Sequence, residues 1–188
     1  VITSPHVMSD FYQNSSETIL NGLADVRAEL KVQNINMEIE AAAEYYIDYE
    51  FEQKIGKEKF LTFGDNYILV ELSFMEAPRN LFDIIFKLQL EGYKVVLAHP
   101  ERYNYYSIKD YEELISRGVL LQINLLSLIA YYSPQIKKKT EALINSGMVS
   151  LVGTDCHNMN HAELYEKCQT KKAWHDLVNS GKLLNATL

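Results

Sequence analysis

The sequence predicts an α/β fold in which parallel strands alternate with helices and close toward a barrel. Two patterns carry this expectation. Apolar runs end in side chains that bind metals: Tyr67-Ile-Leu-Val-Glu71, Val95-Val-Leu-Ala-His99 and Leu151-Val-Gly-Thr-Asp155-Cys-His157, with Val1-Ile-Thr-Ser-Pro-His6 opening the chain. A second mark recurs between them. Gly92, Gly118 and Gly147 each follow a helical pattern and precede an apolar run. A glycine there fits the left-handed position past a helix end, and repeated helix–strand units mean a parallel sheet. A barrel of this kind typically has about 250 residues. The 188 residues here predict one domain over 1–188 that lacks its first strand and helix.

The elements follow in order. Val1, Ile2 and Thr3 read as a strand. Asn14-Ser-Ser-Glu17 reads as a helix start with an acid in the first turn, and Ile19, Leu20, Leu23, Val26 and Leu30 as its apolar face. Ile35, Met37, Ile39 and Ala41 alternate as a strand that ends near Glu44. Leu81, Ile84, Ile85 and Leu88 mark a helix before the strand Val95–Ala98; Leu114 and Ile115 mark another before Val119–Asn124. Ser133-Pro134 opens a helix through Leu143 and Ile144, and Met148–Val152 is the last strand. Lys137, Lys138 and Lys139 are expected on its solvated face.

Composition removes several function classes. A net charge of −7 argues against nucleic acid or an anionic membrane as partner. No run has the length of a membrane span, and no signal peptide is visible. Two cysteines point to a reducing compartment, hence the cytoplasm. A cysteine phosphatase places arginine six residues after its nucleophile. Alanine (Ala162) and tryptophan (Trp174) stand there, so Cys156 and Cys168 read as buried packing.

The remaining pattern points to a metal. Residues two apart on a strand face one way, so Asp155 and His157 are expected on one face with Cys156 on the other. A carboxylate and an imidazole together suit zinc, manganese or iron. His6 and His99 each adjoin a proline, which favours a strand-to-loop boundary. At the C-terminal ends of parallel strands such side chains converge on one catalytic face. Tyr45, Tyr46, Tyr103, Tyr105 and Tyr106 follow predicted strand ends, where they either pack or line a cleft.

Five ordered segments carry a resemblance: T-S-P-H6, A-A-A-E44-Y-Y, Y-I-L-V-E71-L, L-A-H99-P-E-R102-Y and G-T-D155-C-H157-N. Together they resemble the bacterial PHP-type (polymerase and histidinol phosphatase) protein-tyrosine phosphatases encoded beside capsule and exopolysaccharide genes. The resemblance implies a distorted (β/α)7 barrel and hydrolysis of phosphotyrosine on the tyrosine-rich tail of a partner bacterial tyrosine kinase. It implies His6, Glu44, Glu71, His99, Asp155 and His157 as metal ligands and Arg102 as the phosphate clamp, with His99, Asp155 and Arg102 essential to turnover. Two or three divalent ions are implied for the intact protein, manganese first, with iron, zinc or magnesium as alternatives. Tyr45, Tyr46 and Tyr103 are expected to bind the substrate ring. Two departures stand out. The family's opening H-x-H strand would lie before Val1, so this chain is expected to hold fewer ions. A second arginine usually follows the D-x-H-N motif, where His161 is the nearest substitute. A histidinol-phosphatase-like phosphomonoesterase and a non-catalytic phosphotyrosine binder are the alternatives.

Overall fold

The computed structural model describes residues 1–188. They group into two compact units, Val1–Ser73 with Ala77–Val95, and Phe74–Glu76 with Val96–Leu188. Both are mixed α/β, and every pairing between their strands is parallel.

In the first unit β1 (Ile2–Thr3) pairs with β3 (Glu40–Ala41). A second ladder runs β2 (His6–Val7), β4 (Glu44–Tyr46), β5 (Tyr67–Glu71). Helix α1 (Ser16–Val32) starts where Ser15 accepts from the Thr18 amide, as the sequence signal implies. Its buried face is narrower than the apolar spacing suggests. Ile19 and Leu23 are buried, whereas Leu20 and Val26 are nearly half exposed. Helix α2 (Tyr49–Lys54) carried no sequence expectation; Asp48 caps it by accepting from the Phe51 amide at 2.8 Å. Helix α3 (Leu81–Leu90) buries Leu81, Ile84, Ile85 and Leu88, each contributing about 1.5–3 kcal/mol by leaving water.

β6 (Lys94–Ala98) carries the chain into the second unit. There its distal residues pair with β7 (Leu120–Asn124), which pairs with β8 (Val149–Gly153). Helices α4 (Ile108–Ser116) and α5 (Pro134–Asn145) lie between these strands in sequence. α4 opens on a capping box in which Ser107 and Asp110 satisfy one another's backbone groups. Short helices α6 (Met159–Glu163), α7 (Tyr165–Gln169) and α8 (Lys172–Asn179) complete the unit. Gly92, Gly118 and Gly147 all take positive φ, at 85°, 83° and 65°, as expected past a helix end. No helix is long and apolar enough to cross a membrane.

Four expectations need correction. The predicted strand from Ile35 is only Glu40–Ala41, because Ile35 and Met37 are 49% exposed and have no apolar surface to alternate against. The strand before Asp155 ends at Gly153, so strand alternation does not orient Asp155 and His157; a turn does, with Asp155 at φ 49°. Cys168 is buried but Cys156 is exposed. Lys139 is not a solvated lysine. Its Nζ donates to the carbonyls of Tyr103 at 2.5 Å and Tyr106 at 2.7 Å and lies 5.0 Å from the centre of the Tyr111 ring.

Burial holds the Lys139 ammonium down to about 8, against the pull of Glu101 and Asp110. A lysine with a depressed folded pKa favours folding above its unfolded value and loses that contribution as pH falls through the folded value. Wild-type protein is therefore expected to gain stability between pH 8 and 10.5 relative to Lys139→Met. Urea midpoints measured at both ends of that window check this, and parallel changes in the two proteins would refute it.

Candidate functional site

In the first unit, register places the ligands. His6 pairs with Glu44, and Glu44 pairs with Leu69. Glu71 lies two residues beyond Leu69, so His6, Glu44 and Glu71 face one side of the ladder. Their ligand atoms all lie within 4.8 Å of one another. His6 Nδ1 is 3.7 Å from Glu71 Oε2. Glu44 and Glu71 are only 6% and 8% exposed. One imidazole and two carboxylates converging at this spacing suit a divalent cation of the zinc, manganese or iron kind.

In the second unit the node is Asp155. Its Oδ2 accepts from Asn124 Nδ2 at 2.6 Å and from the Tyr132 hydroxyl and Arg102 Nη1, each at 3.3 Å. All three donors converge on Oδ2, while Oδ1 lies 3.3 Å from His157 Nδ1. The Asp155 carbonyl accepts from His157 Nδ1 at 2.9 Å, which puts the proton on Nδ1 and the lone pair on Nε2. Arg102 lies in a one-turn 3-10 helix (Pro100–Arg102) begun by His99, whose φ of 34° turns the chain sharply after β6. The guanidinium carbon is 4.6 Å from the centre of the Phe74 ring and 4.7 Å from that of Tyr132. Burial, then the adjacent Asp155 carboxylate, pushes the Tyr132 phenol well above its ordinary range, so it stays a neutral donor.

Beneath this node lies Glu101, wholly buried. Its Oε1 accepts from the Asn124 amide at 2.8 Å and Ser127 Oγ at 2.6 Å. Burial pushes its carboxyl upward, and those two hydrogen bonds pull it partly back. Glu101 thereby fixes the end of β7, and the Asn124 side chain carries that position to Asp155.

The structure thus gathers His6, Glu44 and Glu71 in the first unit, and Arg102, Asp155 and His157 in the second. His99, 2% exposed, also lies in the second unit, near the Phe74 and Tyr103 rings. Three substrate-binding expectations are corrected. Tyr45 is 5% exposed; its hydroxyl accepts from the Leu61 amide and its ring packs on Phe51 and Phe60, so it belongs to the core. Tyr103 is fully buried, which closes it to a substrate ring. His161 does not replace an arginine. It is 8% exposed, with Nε2 3.0 Å from the Tyr131 hydroxyl and Nδ1 3.2 Å from the Asp155 carbonyl, so it braces the turn. Tyr46 is half-buried and shares the Glu44 face of β4. Asn124 was missed although it closes an apolar strand as the ligands do. Phe74 and Tyr132 left no signal, being aromatic residues in loops.

A family model for capsular polysaccharide synthesis, CpsB/CapC, matches residues 1–178. The chain belongs to the CpsB/CapC family. Among its relatives is the tyrosine-protein phosphatase YwqE of Bacillus subtilis, 29% identical over 85% of this chain and 64% of that protein. This chain therefore spans less than two thirds of that relative. The tyrosine-protein phosphatase CpsB of Streptococcus pneumoniae is 25% identical over 88% of this chain and 71% of that protein. Crystal structures of these two proteins, described as unique metal-dependent tyrosine phosphatases, include a chain that superposes with a TM-score of 0.78 at 26% identity. That match covers 95% of this chain and 76% of the other.

Groups that orient a ligand typically govern metal affinity by about 10–100-fold. Asn124→Leu removes the shortest donor to Asp155 and leaves the carboxylate to swing. Calorimetric titration with manganese is expected to show a weaker component by that factor. Unchanged binding would mean that Asp155 holds no cation.

Proposed function

We propose that this chain carries a metal-dependent phosphatase activity toward phosphotyrosine on proteins. The observation that supports it most is the buried His6–Glu44–Glu71 cluster, a donor set suited to a divalent cation. The names of the relatives support the substrate. We read the fold as a distorted (β/α)7 barrel in one phosphatase domain. The partner is a phosphotyrosyl protein in the cytoplasm, the tyrosine-rich tail of a bacterial tyrosine kinase that controls capsule or exopolysaccharide synthesis. Manganese is the first choice of metal.

The protein's own groups have separable tasks. His6, Glu44, Glu71, His99, Asp155 and His157 hold the ions. A bound divalent cation makes water nucleophilic at neutral pH and offsets phosphoryl charge. Arg102 binds the phosphate, since a planar guanidinium matches two phosphoryl oxygens. Tyr46 offers a ring beside the ligands on β4. The leaving group is a phenolate of pKa about 10, so a strong general acid is less necessary than for a serine alkoxide.

The test is kcat/KM on matched phosphotyrosine and phosphoserine peptides with manganese supplied. Phosphotyrosine is expected to be favoured by about tenfold or more, since aromatic contacts add about 0.5–1.5 kcal/mol each to the better leaving group. Arg102→Ala should lower the rate by about 10²–10³ with metal content unchanged. Equal rates on both peptides would leave a small-molecule phosphomonoesterase. Binding of phosphotyrosine without turnover would leave a non-catalytic reader.

A further inference from the structure

Arg102 is held by more than Asp155. The segment Phe74–Glu76 groups with the second unit although its neighbours in sequence belong to the first. Phe74 makes that connection, with its ring against His99, Arg102 and Tyr103. Phe74 is 44% exposed, so it is not a core residue. Tyr132 follows the 3-10 turn Leu125–Ile129 and brings a second ring to the same guanidinium.

A guanidinium offers its hydrogen bonds in its plane and its faces to aromatic rings. Ring contacts therefore consume none of its donors. One in-plane donor, Nη1, reaches Asp155 Oδ2. The rest of the fork remains for an anion. We propose that Phe74 and Tyr132 are positioning residues that hold the Arg102 guanidinium by its faces, so that its in-plane donors meet a phosphomonoester as a bidentate pair. This rests on the reading of Arg102 as the phosphate group. An arginine on a mobile stem gives up side-chain entropy on each binding event, whereas one already stacked does not. The same two rings make Arg102 irreplaceable by lysine, whose ammonium has no plane to orient.

The experiment is a double-mutant cycle read by calorimetric titration of inorganic phosphate into manganese-loaded protein. Phe74→Leu and Tyr132→Leu are each expected to weaken phosphate about threefold to tenfold, the range of a partly exposed cation–π contact. Metal content should not change in Phe74→Leu; Tyr132→Leu also removes a hydroxyl donor to Asp155, so its ring contribution is read against Tyr132→Phe. Phe74→Tyr, which keeps the ring, should restore binding. In an Arg102→Ala background, Phe74→Leu should have no further effect. The proposal is overturned if Phe74→Leu weakens phosphate equally in that background, if it costs metal, or if Phe74→Tyr fails to rescue. If Arg102→Ala alone leaves phosphate affinity intact, the phosphate reading of Arg102 itself fails, and the positioning role falls with it.

Discussion

Two carboxylates forced together with little water define the first unit. Glu44 and Glu71 sit on one face because the parallel register of β2, β4 and β5 puts them there, beside His6. Carboxylates whose oxygens lie within 4.8 Å of one another repel when both are charged, and a divalent cation between them would offset that repulsion. A fold that carries such a term gains when a cation arrives. The parallel ladder fixes the positions of the three side chains relative to one another.

The second unit solves a different problem. Three protein donors converge on one oxygen of Asp155. Two of those donors belong to groups fixed elsewhere. Asn124 is held through its amide by buried Glu101, and Arg102 by two rings. In His-Pro-Glu-Arg, Glu101 is buried beneath the node while Arg102 reaches Asp155, although the two are adjacent in sequence. Lys139, reaching the Tyr103 and Tyr106 carbonyls, ties down the loop that follows them.

Long elements were legible in the sequence because helix ends and buried strands carry local signals. Ser15 and the glycines at 92, 118 and 147 stand where capping chemistry puts them. The convergence of His6, Glu44 and Glu71 was legible because polar side chains closing apolar strands are conspicuous. What failed was non-local. Tyr45 and Tyr103 looked like cleft residues, since sequence position does not report the packing that buries them. Lys139 looked solvated in a run of three lysines, and only the fold brings two carbonyls to its ammonium. His161 looked like a spare cation, but its Nδ1 lies against the Asp155 carbonyl and its Nε2 against the Tyr131 hydroxyl. The Arg102 rings come from loops distant in sequence and leave no periodic trace.

A cation held by Glu44 and Glu71 would offset the repulsion between their paired carboxylates. Unfolding midpoints of wild type and Glu44→Gln, with chelator and then with manganese, test it directly. The account predicts that the variant is the more stable protein in chelator, and that manganese stabilises wild type more and reverses the order. A variant less stable than wild type in chelator, with a gap that manganese does not change, would contradict it.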